Sequence, residues 1–315
     1  MKRIFILAAL LGTVVACNED KIFEKEQYKN VFSLVSDENN IYSMVLDLEE
    51  DENIGYISAS MGGTNPTTED LVIQLEEAPE LLDSYNFSNF DVETGKYYPA
   101  LPKSKYDIES FTLRIKAGEI GGEIPVRIRP AGLSPDSLYF IPVRVASYNA
   151  FELNPDKTSL LFRVRTQNRY AVSDGTSAYA QTMKRKLKSE DFWLTLPATK
   201  TLYPLSSNSV RINPGAEAVE AKITEYNKKC IVVEVNDDNT VTLKPFKNIV
   251  VTQIDGDPDY PNIFRIVDDG YKTYKEFLLY YEYWIPGTFA NTIYQVKEEL
   301  RLEFSDTKDD YEWTY

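Results

Sequence analysis

Short runs in which apolar and polar side chains alternate, broken by Gly, Pro, Asn and Asp, recur from about Val31 onward. A period of two sends successive side chains to opposite faces of a strand, so runs of this kind build sheets with one buried face. The clearest in the first half are LVIQL (71–75), FTLRIKA (111–117), EIPVRIRP (123–130), LYFIPVRVAS (138–147) and LLFRVR (160–165). In FTLRI, Phe111, Leu113 and Ile115 share one face and Thr112 and Arg114 the other. APELLDSYN (78–86) reads as a short helix, with Leu81, Leu82 and Tyr85 at helical spacing. Gly121-Gly122 and Ser134-Pro135-Asp136-Ser137 read as turns between adjacent strands. Residues 31–167 are therefore expected to form a β-sandwich of immunoglobulin type.

Residues 168–202 interrupt the rhythm with mixed composition and Pro, Ser and Thr, and are read as a connector. The strands resume over 203–315: EAKITEY (220–226), CIVVEVN (230–236), TVTLKPF (240–246), IVVTQID (249–255), NIFRIVDD (262–269), KTYKEFLLYYEYWI (272–285) and TIYQVKEELRLEF (292–304). The links are short, with 236–239 and 268–270 as tight hairpin turns. A meander this long hides its edges most easily by closing, so a lipocalin-like barrel is expected here. The whole chain is predicted to be all-β.

Composition removes several function classes. The 315 residues include 49 acidic and 34 basic side chains, for a formal charge of −15, and no histidine. An acidic chain lacks the basic footprint that nucleic-acid phosphates require. Without His there is no Ser-His-Asp or Cys-His nucleophile and no His-ligated zinc. No P-loop or dinucleotide fingerprint occurs, since Gly62-Gly63 and Gly121-Gly122 are isolated, and no cofactor is expected. The 22 Tyr exceed what core packing requires and point to an extracytoplasmic binding protein more than to an enzyme.

The N-terminus reads MKRIFILAALLGTVVAC. Lys2 and Arg3 precede the apolar run Ile4–Val15, which is too short for a membrane span of ~20 residues and suits a signal peptide. Val14-Val15-Ala16-Cys17 is similar to a bacterial lipobox, which implies loss of 1–16 and a lipid on Cys17. Losing Lys2 and Arg3 takes the charge from −15 to −17. Residues 17–30 then form a lipidated tether, and Asn18-Glu19-Asp20 resembles the surface-export signal of Bacteroidetes lipoproteins. Cys230, in KKCIVVEV, is left without a disulfide partner and reads as a small core residue.

A wider resemblance covers residues 30–167. LLDSYN, YYPALP, a strand ending in Lys116-Ala117-Gly118, GLSPDSLYFIPVRV and Asn154-Pro155-Asp156 occur in this order. The series resembles the immunoglobulin-like N-terminal domain, of unknown function, of Bacteroidetes surface lipoproteins from glycan-utilisation systems. The remainder is similar to the lipocalin-like C-terminal domain that often follows it. The resemblance implies an outer-membrane location, attachment through the lipid alone, and glycans and outer-membrane glycan importer components as partners. The same N-terminal domain precedes chitinase-like endoglycosidases, whose catalytic strand carries Asp-x-x-Asp-x-Asp-x-Glu. Nearest here is Asp255-Gly256-Asp257-Pro258-Asp259, which lacks the Glu, and too little chain remains for a TIM barrel of ~250 residues.

The candidate binding residues lie in KTYKEFLLYYEYW. Alternation puts Tyr274, Glu276, Leu278, Tyr280, Glu282 and Trp284 on one side and Phe277, Leu279 and Tyr281 on the other, as core. Rings interleaved with carboxylates suit a pyranose, whose C–H face stacks on a ring while its hydroxyls donate to carboxylate oxygens. Rings that merely cover or fill a barrel would give the same pattern. Trp193 in the connector and Trp313 in the tail are further candidates, because loops rarely need large rings for packing. Asp255, Asp257 and Asp259 fit an acidic turn better than a calcium loop, because Tyr260 and Ile266 replace the EF-hand Gly and Glu. Lys184-Arg185-Lys186-Leu187-Lys188 is a solvated basic face or an anion site.

The expectation is a lipid-anchored surface protein, not an enzyme, that binds glycans, neutral ones more readily than acidic ones. A calycin-like carrier of an apolar molecule would instead line its barrel with Leu, Ile, Val and Phe. A structural or adhesion subunit would show an aromatic patch with few carboxylates.

Overall fold

A computed structural model describes residues 29–63, 65–288 and 292–304. The expected lipidation site Cys17, its signal and most of its tether, and the tail with Trp313, lie outside the described residues. The chain is all-β. No helix among the described residues is long and apolar enough to cross a membrane.

The N-terminal half contains β1 (Val31–Leu34), β2 (Ile41–Asp47), β3 (Asn53–Gly62), β4 (Leu71–Glu77), α1 (Pro79–Phe90), β5 (Tyr106–Asp107) and β6 (Thr112–Ile115). It continues with β7 (Gly121–Ile128), β8 (Tyr139–Tyr148), β9 (Glu152–Leu153) and β10 (Ser159–Gln167). Hydrogen bonding orders these as two five-stranded sheets, β5-β7-β3-β1-β9 and β2-β10-β8-β4-β6. Inward rows from both sheets, among them Phe32, Ile57, Val126, Ile73, Leu113 and Phe162, meet in one core. The ladders are antiparallel except β1 with β9 and β2 with β10, which run parallel. The helix begins on Pro79 at its first turn and packs Leu82 against Ile41, Phe140 and Leu161, on the outer face of the second sheet. Gly121-Gly122 does not form a turn but opens β7. A Cβ on Gly122 would lie 2.2 Å from the Arg114 carbonyl oxygen, so close approach of two strands, not turn geometry, demands this glycine.

The C-terminal half contains β11 (Ala178–Leu187), β12 (Leu194–Thr201), β13 (Tyr203–Ser206), β14 (Ser209–Ile212), α2 (Ile223–Lys229), β15 (Ile231–Val235) and β16 (Val241–Pro245). After these come β17 (Val250–Gln253), β18 (Ile263–Asp268), β19 (Thr273–Trp284) and β20 (Tyr294–Phe304). They form one sheet ordered β12-β11-β20-β19-β17, with β18 also on β19, and a second ordered β13-β14-β15-β16. The expected single closed barrel is thus two separate sheets around one core. The hairpin turns stand where expected, with Asn239 and Gly270 at positive φ.

Two readings are corrected. Residues 178–201 are not a connector but β11 and β12, paired along their length. Their alternation is masked because the inward row Tyr179, Gln181, Met183, Arg185 contains two polar residues. Gln181 is only 4% exposed and donates to Glu298 Oε2 (2.6 Å). Residues 220–226 are not a strand; α2 forms there, with Glu225 and Lys229 one turn apart and paired at 2.6 Å.

Glu298 itself is fully buried and accepts from Lys200, Gln181 and Tyr281, while Tyr281 Oη accepts from the Gly215 N–H (2.8 Å). A satisfied network of this kind is tolerated in a core because no member is left unpaired. Burial holds the Lys200 ammonium below its ordinary pKa against the pull of Glu298, and raises Tyr281 well above its own.

The halves meet at Arg211 of β14. Its side chain is 1% exposed and lies 3.9 Å from the Tyr226 ring centroid, 4.9 Å from Tyr203 and 5.5 Å from Phe246. Its charge is answered by Asp136, from the turn before β8 in the other half. Removing one partner of a buried pair leaves an uncompensated charge, at a cost of about 3–5 kcal/mol. Asp136→Ala is expected to lose about that much in urea unfolding. A loss below about 1 kcal/mol would show that the guanidinium reaches water at this joint.

Candidate functional site

The long strand β19 has two different faces. Phe277, Leu279, Tyr281 and Tyr283 are buried in the core. Tyr274, Glu276, Leu278, Tyr280, Glu282 and Trp284 form the outer row, on which the three rings stay partly exposed. Tyr280 and Trp284 are four residues apart, about 13 Å along a strand.

Each outer residue faces a partner fixed by register. Lys297 on β20 lies opposite Tyr280, its Nζ 4.8 Å from the ring centroid. Arg301 lies opposite Glu276 and also sits 4.4 Å from the Tyr274 ring. Glu276 is held on both oxygens, Oε2 by Arg265 and Oε1 by Arg301 at 3.2 Å. Glu282 accepts from Lys188 (2.8 Å) and from Gln295 (3.3 Å). The buried Glu276 is thus committed to the fold. Glu282, at 18% side-chain exposure, retains lone pairs toward solvent.

Trp193 ends the loop between β11 and β12, which folds back over this face. Its ring lies 6.3 Å from Tyr280 at 60°. Lys186 Nζ is 5.4 Å and Lys297 Nζ 5.6 Å from the indole, and Tyr260 stands 5.6 Å from the same Lys297. Lys297 therefore sits among three rings and pairs with Asp257. Sequence reading missed Lys297 and Tyr260 and named Lys186 only within a basic run. β20 was legible as a strand and 255–259 as a turn, but β11 was not, nor was the register that brings Lys297 opposite Tyr280.

The acidic turn is used internally. Asp257 Oδ1 accepts from the N–H groups of Asp259 (3.1 Å) and Tyr260 (3.0 Å), and Asp255 accepts from Gln253 and Asn262. No group of three acidic, Cys or His side chains suited to a metal occurs among the described residues. The hydrogen bond from Lys297 holds the Asp257 carboxyl below its ordinary pKa. Cys230 is fully buried, and desolvation pushes its thiol up to about 11.

Residues 23–152 match a family model described as an N-terminal domain, and residues 158–301 one described as a C-terminal domain. The chain carries both domains. No curated protein matches the sequence. Among solved structures, a protein of unknown function from Bacteroides ovatus is 14% identical over 90% of this chain and 99% of its own, with a TM-score of 0.61. A multidomain protein from the same organism is also 14% identical, over 88% and 95%, with a TM-score of 0.62. An auxiliary nutrient binding protein from Bacteroides thetaiotaomicron is 17% identical over 84% and 91%, with a TM-score of 0.58. At such identities the likeness is one of fold.

Two outcomes test this geometry. A depressed carboxylate keeps its contribution above its unfolded pKa of about 3.9 and loses it only as pH falls through the lower folded value. Trp193 fluorescence, read in a Trp284→Phe/Trp313→Phe background, should stay constant from pH 8 to about 5 and shift only in stronger acid. A transition near pH 6 would refute the Asp257–Lys297 contact as its support. The Cys230 thiol should resist iodoacetamide at pH 8 in the folded chain and react in denaturant; fast labelling of the folded chain would contradict its burial.

Proposed function

We propose that this chain is a lipid-anchored cell-surface protein that binds glycans without cleaving them, as part of a polysaccharide or N-glycan utilisation system. The observation that carries the reading is the outer row of β19, where Tyr274, Tyr280 and Trp284 lie in line and Trp193 leans over Tyr280. Rings spaced along a strand suit the repeated C–H faces of an oligosaccharide, and Glu282 supplies an acceptor beside them. The auxiliary nutrient-binding protein of the same fold is in keeping with this role.

The carboxylates argue for binding over hydrolysis. A retaining glycosidase needs two free carboxyl groups ~5 Å apart, and on this face Glu276 is locked between two arginines. An apolar carrier is less well supported, because the space between the C-terminal sheets is filled by Phe264, Phe277, Leu279 and Tyr281 and by the Glu298 network. An adhesion surface would want fewer acidic groups than Glu276, Glu282, Glu299 and Glu303 provide. Cys17 is the proposed lipidation point, at the outer membrane and facing outward, and importer components are the proposed partners.

Glycan-array binding of residues 18–315 tests the proposal, with Trp193→Ala, Tyr280→Ala and Trp284→Ala alongside. Wild type should bind a neutral glycan class, and loss of a stacked ring should weaken it about tenfold, roughly 1.4 kcal/mol. Binding unchanged in all three variants would move the site elsewhere; no binding to any glycan would overturn the proposal.

A further inference from the structure

We infer a second carbohydrate subsite at the seam between the halves, sized for one neutral sugar ring. The inference rests on the glycan reading for its ligand class but not on the outer row of β19. A cleft of about 210 Å³ opens between Tyr98 and the 135–138 turn on one side and Tyr203 and Tyr226 on the other, with residues 173–175 as its third wall. Domain interfaces are preferred places for small-ligand sites. At ~30 Å³ per water this volume holds about seven waters, enough for a monosaccharide and too little for a chain.

The walls have the chemistry such a ring needs. Tyr98, Ser137, Tyr203 and Tyr226, each carrying a hydroxyl that can both donate and accept, line one cleft. Tyr203 and Tyr226 are held rigidly by the Arg211 guanidinium between them, so little freedom is lost when a ligand orders them. The Tyr203 hydroxyl reaches to within 3.9 Å of where a Cβ on Gly175 would stand.

Charge settles the ligand class. The two acidic residues of the cleft are each matched by a buried or half-buried arginine: Asp136 by Arg211, and Asp174 by Arg165. A charged ligand would meet no unpaired opposite charge. A neutral polyol meets the rings of Tyr98, Tyr203 and Tyr226 and the hydroxyl-bearing residues around them.

Titration of the chain with glucose, mannose, galactose and N-acetylglucosamine by saturation-transfer NMR tests this. The variant Tyr98→Phe/Ser137→Ala/Tyr203→Phe deletes only hydroxyls and should weaken the bound monosaccharide at least about tenfold, whereas Glu123→Gln, at an exposed position outside the cleft, should leave it unchanged. Ser137→Leu, which fills the cleft and leaves the tyrosines alone, should act like the first variant. Equal monosaccharide binding by wild type and both seam variants would overturn the inference. So would oligosaccharide binding with no monosaccharide bound, which would leave the β19 platform standing. No sugar of any length bound would remove both.

Discussion

The arrangement of this molecule turns on one buried cation. Arg211 stands on a short strand whose four residues are all buried, so its guanidinium has no route to water. A charge in that position must be paired and enclosed or the fold does not form. The C-terminal half encloses it, with rings from β13, α2 and the segment after β16, but none of its described residues pairs a carboxylate with it. The anion comes from Asp136 in the N-terminal half. The joint is therefore a completion of one half by the other. It also explains why α2 replaces the strand expected there: Tyr226 must present its face to the guanidinium, and a helical turn delivers it while Lys229 caps back to Glu225.

The same logic separates the two faces of β19. Inward, Tyr281 spends its hydroxyl on Glu298 and Tyr283 on Glu217, so both tyrosines belong to the core although each carries a polar tip. Outward, Tyr280 and Trp284 have no such buried partner among the described residues, and Tyr274 has a cation over its ring and a hydrogen bond only to the exposed Asp269. Identical residue types in one strand thus divide into structural and available rings by which side of the pleat they occupy.

This division was legible in the sequence because a period of two is robust wherever one face is dry. The strand β19, its core row Phe277, Leu279 and Tyr281, and the hairpin turns at Asn239 and Gly270 could all be read from the residues. The missed strand has a long-range cause. In β11 the inward row includes Gln181 and Arg185, which are polar because Glu298 and Glu217 await them, and a hydrophobicity pattern cannot register partners more than a hundred residues, or some thirty, away. Closure failed for a different reason. β20 pairs with both β19 and β11, last strand with first as a barrel requires, but no ladder joins β12 to β13 or β16 to β17, so the ring opens at those two places. The outer row was predicted as a set. Its carboxylates were not separable from sequence, and register alone made Glu276 structural while leaving Glu282 half free.

Electrostatics then bears on what such a surface would select. The basic run at the end of β11 stood out in an acidic chain, yet three of its four charges are answered locally: Lys188 by Glu282, Arg185 by Glu217, and Lys186 by the Trp193 ring. Lys297 is likewise bound to Asp257 and three rings. A cation already satisfied by a carboxylate offers little to an anionic ligand, because the new contact must displace the old one. Around these pairs the chain as a whole is strongly negative, which repels a uronic-acid polymer before contact. Both effects act in one direction. Cations here hold rings in place, and on the proposed glycan reading those rings would suit an uncharged partner with apolar faces better than an anionic one.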